Sequence, residues 1–262
     1  MTLLVAWRSP RGIHMMSDTR LTFGDYSVDL GIKILSTPYR IYGPGEQGPA
    51  NVMAEGDLGM GFAGSAVAAF TLTATLRDVL TTLQGAPGYS KFGMDGVVDL
   101  LWATYDQQQN ALCSFLYGNG LTTLMVTGFC VVQQTQRAFI FEVSPTFQRS
   151  YREILQSVDD VEVVGSGTAA ARALMPVKPT QAAMIDVVQT VIDDPAEPSV
   201  GGAIQFGELV GKAFRTVGVA TVKDRQVRHW RGGLDLNDPA LTGGNGLVIS
   251  YPLLDLIWRR TG

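Results

Sequence analysis

The stretch Gly59-Met60-Gly61-Phe62-Ala63-Gly64 meets the G-x-G-x-x-G spacing that lets a backbone wrap a dinucleotide pyrophosphate at a helix N-terminus, and a helix-like run follows it directly. The companions of that fingerprint are missing. It belongs in the first βα turn of a parallel unit, with an acidic residue about 20 positions on. Here several strand-like segments come first, and the next acidic residue, Asp78, falls inside the helix. No G-x-x-x-x-G-K-[ST] or G-x-S-x-G occurs, since Gly165-Ser166-Gly167 sets its glycines directly against the serine. His14 and His229, the two histidines of the chain, lie in separate strand-like segments without clustered carboxylates. That arrangement indicates neither a metal centre nor a Ser-His-Asp triad, and the expectation is a site without cofactor or metal.

The start of the chain offers different chemistry. Removal of an initiator methionine before a small residue would leave Thr2 with a free α-amine at the head of a strand. Such an amine has an unperturbed pKa of roughly 7.7–8.0 and can take the proton of the threonine hydroxyl, so nucleophile and base share one residue. Asp18 closes the next strand-like segment, and Lys33 opens a later apolar one, where a charged side chain needs a partner. A lysine beside Thr2 would favour the unprotonated amine and a developing alkoxide, with Asp18 holding the lysine. The same spacing is equally compatible with a purely structural ion pair.

The elements that must position these residues follow from apolar periodicity. Residues 2–8 and 12–18 read as a hairpin around Ser9-Pro10-Arg11-Gly12, and Lys33-Ile34-Leu35-Ser36 as a further strand. A Pro/Gly-rich loop insertion is expected at about 39–57. Leu58 to Ala63 should enter the glycines as a strand, followed by a helix over 65–83 with Gly85 as its C-cap. A second helix is expected over 94–113, a hairpin over 121–143, and short strands at 151–155 and 161–164. Helices at 169–175 and 181–192 and a closing set of strands at 202–230 complete the order, followed by a C-terminal extension at about 231–262. Helices in pairs between groups of strands argue for segregated layers, an α+β chain with two facing sheets and a helix pair outside each.

The chain has 262 residues, 46% of them hydrophobic and 17% charged, which fits one ordered domain spanning 1–262. Its formal net charge of −4, with no basic run, gives no electrostatic footprint for nucleic acid. No segment is long and apolar enough for a membrane span, and the opening residues lack the pattern of a signal peptide, so no membrane association and a cytoplasmic location are expected. A mean hydropathy of +0.14 leans towards an oligomer. Cys113 and Cys130 read as buried thiols.

Several ordered motifs together resemble proteasome β-type subunits, and most of all the bacterial subunit HslV and its relatives. They are Thr2-Leu3-Leu4-Val5, Ser17-Asp18-Thr19-Arg20, Gly31-Ile32-Lys33-Ile34-Leu35, Gly61-Phe62-Ala63-Gly64-Ser65-Ala66, and Gly165-Ser166-Gly167 ahead of an alanine-rich helix. The resemblance implies a four-layer αββα sandwich of the N-terminal-nucleophile hydrolases. It further implies Thr2 as nucleophile and base, Lys33 tuning the amine, Asp18 orienting Lys33, the Gly64 N–H as oxyanion donor, and Ser166 in the hydrogen-bonding cluster around the amine. The family's later Asp-x-x-Ser-Gly pattern has only an approximate counterpart in residues 194–202, where Ser199 fits and the carboxylate is Asp194 or Glu197.

The implied function is threonine-type hydrolysis of peptides or unfolded protein inside a homo-oligomeric ring, with an ATP-dependent unfoldase as a possible partner. Three alternatives stay open: a weakly active or inactive assembly protein of the same fold, a small-amide hydrolase, and a nucleotide-dependent oxidoreductase built on the glycine motif.

Overall fold

The computed structural model describes residues 2–44, 51–223, 226–232, 234–238 and 256–260. Met1, whose removal the expectation for Thr2 requires, lies outside the described residues. Strands β1 (Leu3–Ser9) and β2 (Gly12–Asp18) form the first hairpin, and β3 (Leu21–Phe23) with β4 (Tyr26–Val28) a small separate sheet. A long hairpin of β5 (Ile34–Tyr42) and β6 (Val52–Gly64) leads into α1 (Ala66–Val79). The short β7 (Leu83–Gln84) and helix α2 (Met94–Leu116) come next, then β8 (Thr122–Cys130), β9 (Thr135–Val143), β10 (Arg149–Ile154) and β11 (Val161–Gly165). Helices α3 (Thr168–Ala173) and α4 (Gln181–Asp193) precede β12 (Ile204–Val210), β13 (Ala213–Lys223), β14 (Gln226–Arg231), β15 (Leu234–Asp235) and β16 (Leu256–Arg260).

Among the described residues this is a strand-rich mixed α/β fold with two large sheets. One runs β11-β1-β2-β12-β13-β14-β15, with β16 parallel to β13; the other runs β10-β9-β8-β6-β5-β7. The strand period of two explains how β1 serves two cores at once. Leu3, Val5 and Trp7 join Met184 and Val188 of α4 and Phe206 of β12, whereas Leu4 and Ala6 join Ala63, Met125, Ile140 and Phe214, drawn from both sheets. A third cluster sets Leu58, Met60 and Leu124 against Leu72 and Leu76 of α1 and Val97 and Leu101 of α2. The continuous apolar run of β1 is thus the signature of a strand covered on both faces.

The glycine motif is a packing device. Strand β6 is antiparallel to both β5 and β8, so no parallel βαβ unit stands at 59–64. The position a Cβ would take is filled by the Phe214 ring at Gly59 and by the Leu4 methyls at Gly61. Two glycines let the facing sheets approach.

The structure also redraws some expected boundaries. Most of the stretch read as a loop at about 39–57 is the outer half of the β5–β6 hairpin, with Tyr39 opposite Gly56 and Ile41 opposite Ala54. Its Pro and Gly content hid an alternation that buries Tyr39, Ile41 and Ala54. Helix α1 closes at Leu80, while the Gly85 N–H donates to the Tyr42 carbonyl. In the C-terminal stretch β16 adds to β13, while Leu253 and Leu254 lie outside the described residues. No helix among the described residues is long and apolar enough to cross a membrane.

Candidate active site

Thr2 stands immediately before β1, which lies between β11 and β2, and it is 2% exposed. Its backbone nitrogen donates to Ser166 Oγ at 3.2 Å, and Ser166 Oγ lies 2.7 Å from Ser199 Oγ. The Gly165-Ser166-Gly167 turn is built for this approach. Gly165 has φ +102°, and a Cβ there would strike the Thr2 carbonyl oxygen, so the turn that presents Ser166 excludes a side chain one residue earlier.

On the other side of Thr2, Asp18 ends β2 with its carboxylate fully buried and fully used. Oδ1 accepts from the Leu3 N–H at 3.0 Å and from Lys33 Nζ at 2.7 Å. Oδ2 accepts from the Arg20 and Gly201 N–H groups, both at 3.1 Å. Lys33 is 4% exposed, and burial pushes its pKa below the ordinary lysine value while the Asp18 charge pulls it back. Asp18 ends a strand of one sheet and Lys33 immediately precedes a strand of the other, which is why their pairing could not be read from a single element.

Thr2, Lys33 and Gly64 line one pocket together with Leu21, Ile32, Phe62 and Phe70. The direction of the Gly64 amide follows from the ladder. Ala63 and Thr123 face each other across β6 and β8, and the Ser65 N–H donates to the Leu121 carbonyl at 2.8 Å. Alternation along a trans backbone then turns the Gly64 N–H away from β8. Two residues earlier the Phe62 N–H, which shares that parity, donates to the Lys33 carbonyl at 3.0 Å. The Gly64 N–H thus lies on the same side of β6 as the Phe62 N–H, and Gly64 lines the pocket.

Gly64 has φ +109°, and a Cβ there would meet the Leu121 carbonyl oxygen. Gly64→Ala is accordingly expected to lose about 1–3 kcal/mol of stability in a urea titration, because a side chain in that backbone region is strained before any catalytic effect is counted.

All six residues singled out from the sequence, Thr2, Asp18, Lys33, Gly64, Ser166 and Ser199, are thus held around or directly behind this pocket. The carboxylate expected from Asp194 or Glu197 is different. Asp194 accepts the Ala196 N–H at 2.9 Å and so closes its own turn. Among the described residues, no carboxylate is hydrogen-bonded to Ser166 or Ser199. The histidines stay out of the cluster: His14 is buried against Trp7 with Nε2 2.8 Å from Ser9 Oγ, and burial lowers its pKa.

Two contributors carried no assignment in the sequence reading. Arg20 pairs with Asp29 through two hydrogen bonds and donates from Nη1 to the carbonyls of Pro198 and Val200, strapping down the loop that presents Ser199. Its place beside Asp18 in Ser17-Asp18-Thr19-Arg20 was the available signal. Gln205, in β12, had none.

No family model matches the chain, and no curated protein matches it. Solved structures of Anbu proteins do. The helical assembly of the Anbu complex from Pseudomonas aeruginosa aligns at TM-score 0.55 and 14% identity over 82% of this chain and 85% of that chain. A Gly-1 mutant of Anbu from Hyphomicrobium sp. strain MC1 aligns at 0.54 and 14% over 83% and 85%. Anbu, an ancestral beta-subunit, from Yersinia bercovieri aligns at 0.53 and 16% over 82% and 86%. These neighbours correct the likeness to HslV: they are proteasome-like in fold but a distinct family. At this identity the likeness establishes the fold.

Proposed function

We propose that the chain is a peptidase of the N-terminal-threonine type, built as a single four-layer αββα domain and working in a homo-oligomer on peptides or unfolded protein. The observation that carries this reading is the shared pocket of Thr2, Lys33 and Gly64, with Ser166 on the Thr2 nitrogen and Asp18 on Lys33. The helical assembly formed by the Pseudomonas neighbour supports the oligomer.

In this reading the α-amine of Thr2, freed of Met1, takes the Oγ proton as Oγ attacks the carbonyl carbon of the scissile amide. The oxyanion gathers at the Gly64 N–H, where a donor already fixed by the β6–β8 ladder needs no reorganisation. The C–N bond then breaks, the leaving nitrogen takes the proton from the amine, and an ester to Thr2 remains. Water attacks that ester with the same amine as base, the ester C–O bond breaks and Oγ recovers its proton. Lys33, held cationic by Asp18, disfavours a second positive charge on the amine and so keeps it ready as a base.

The direct test is an intact-mass measurement of the purified protein before and after treatment with a peptide epoxyketone, an electrophile that closes a ring on both the amine and Oγ of an N-terminal threonine. The expected result is loss of one methionine and a single adduct on Thr2. Retained Met1, or no adduct on a processed chain, overturns the mechanism and leaves the assembly-protein alternative.

A further inference from the structure

Gln205 sits at the second position of β12, 4% exposed, with Ser17 of β2 opposite it. A carboxamide has two acceptor lone pairs and two N–H donors, and this one uses all four. Oε1 accepts from the Lys33 N–H at 2.9 Å and the Ile34 N–H at 3.3 Å. Nε2 donates to the Asp18 carbonyl at 3.2 Å and the Gly31 carbonyl at 2.6 Å. Those four backbone groups flank the two members of the Lys33–Asp18 pair. Asp18 ends β2 in one sheet and Lys33 enters β5 in the other, and no ladder joins β2 to β5. One side chain therefore supplies, across the gap between the sheets, the backbone bonds that a ladder would supply within one.

We propose that Gln205 is a positioning residue for the hydrolysis: it fixes the backbone of Lys33 against that of Asp18 and thereby the placement of the Lys33 ammonium beside Thr2. The proposal rests on the peptidase reading. It differs from a merely structural role in what it requires of the chemistry. Tight burial of a satisfied amide stabilises any fold, but only a positioning role ties kcat to the donor capacity of this one group. An ångström of misplacement in a catalytic array costs about 100-fold in rate.

Two substitutions separate the roles. Gln205→Leu fills similar space and removes all four bonds. Gln205→Glu keeps the shape and the acceptor for Lys33 and Ile34, yet as a carboxylate it confronts the Asp18 and Gly31 carbonyls without a proton to donate. Protonated, it regains one donor. The charged groups about it include Asp18 of β2 and Lys33 just before β5, with Asp29 and Arg20 acting on Lys33 in turn. Both variants are to be assayed on a fluorogenic peptide, at a temperature where circular dichroism shows them folded, beside the wild type at each pH.

The expected results are a fall in kcat of about 10–100-fold for Gln205→Leu at every pH with KM within about twofold. For Gln205→Glu the ratio of its kcat to that of the wild type should decline as pH rises from about 5 to 9, as the buried carboxyl loses its proton. A folded Leu variant with wild-type kcat, or a Glu variant with a flat ratio, overturns the assignment. Failure of both variants to fold overturns it too, in favour of a role in folding alone. An active wild type with unaffected variants sinks only Gln205, whereas an inactive wild type sinks the peptidase reading and Gln205 with it.

Discussion

Thr2→Ala is expected to abolish peptide hydrolysis, by at least about 10³-fold in kcat, while leaving the melting temperature close to that of the wild type. Alanine is small enough to allow the same removal of Met1, so the amine survives and only Oγ is lost. The backbone contacts of Thr2 also survive: its nitrogen still faces Ser166 Oγ, and the Leu3 N–H still meets Asp18. Thr2→Ser keeps a hydroxyl and should keep measurable turnover. The comparison is made with one fluorogenic peptide and intact-mass confirmation of each N-terminus. Equal turnover in Thr2→Ala and wild type would exclude Thr2 as the nucleophile; turnover absent from all three proteins would favour the assembly-protein reading.

Much of the fold was legible because both kinds of periodicity are strong here. The run Leu3-Leu4-Val5-Ala6-Trp7 is apolar throughout because each face of β1 meets its own core. The helical spacing of Val67, Phe70, Leu72 and Leu76 marked α1 as a helix, but only Leu72 and Leu76 of these lie on its buried face, where Ala68, Ala69 and Thr73 join them while Val67 and Phe70 are exposed. What misled was local composition. Pro38 and Gly56 look like punctuation, yet they sit in the paired part of the β5–β6 hairpin, where Pro38 faces Asp57 and Gly56 leaves room for the Tyr39 ring. A dinucleotide motif arose by coincidence from Gly59 and Gly61, needed where Phe214 and Leu4 press in from the facing sheet, and Gly64, needed for its backbone.

The candidate site was legible to the extent that its members carry functional side chains. Thr2, Asp18 and Lys33 stood out as a hydroxyl at the head of a strand and a pair of opposite charges, while Ser166 was singled out only through the family resemblance. Gln205 and Arg20 act through backbone carbonyls and amides that belong to distant segments, and such contacts leave no trace in residue type. The same limit explains the open carboxylate. Asp194 and Glu197 both look suited to Ser199 in sequence, but Asp194 accepts the Ala196 N–H two residues on, and local turns take up short acidic side chains readily.

Asp18→Ala is expected to produce the largest loss of stability of any single change at this site, and its size should depend on pH. The substitution leaves Lys33 as a buried cation without its partner, which costs about 3–5 kcal/mol, and strands the N–H groups of Leu3, Arg20 and Gly201. Burial already holds the folded-state pKa of Lys33 below its reference value of 10.5, and loss of the Asp18 charge lowers it further. The unfolded chain then binds the proton more tightly than the folded one. The penalty is therefore complete at low pH and shrinks as pH rises through the depressed folded value towards the unfolded one. Urea titrations at about pH 6 and pH 9 should show a larger deficit against wild type at the lower pH. Activity should change on its own account as well: a neutral Lys33 no longer opposes protonation of the Thr2 amine, so in the fraction that folds the acid limb of the kcat profile should move to higher pH. A deficit that is the same at both pH values would mean that the stranded backbone amides, and not the charge on Lys33, are what Asp18 chiefly serves.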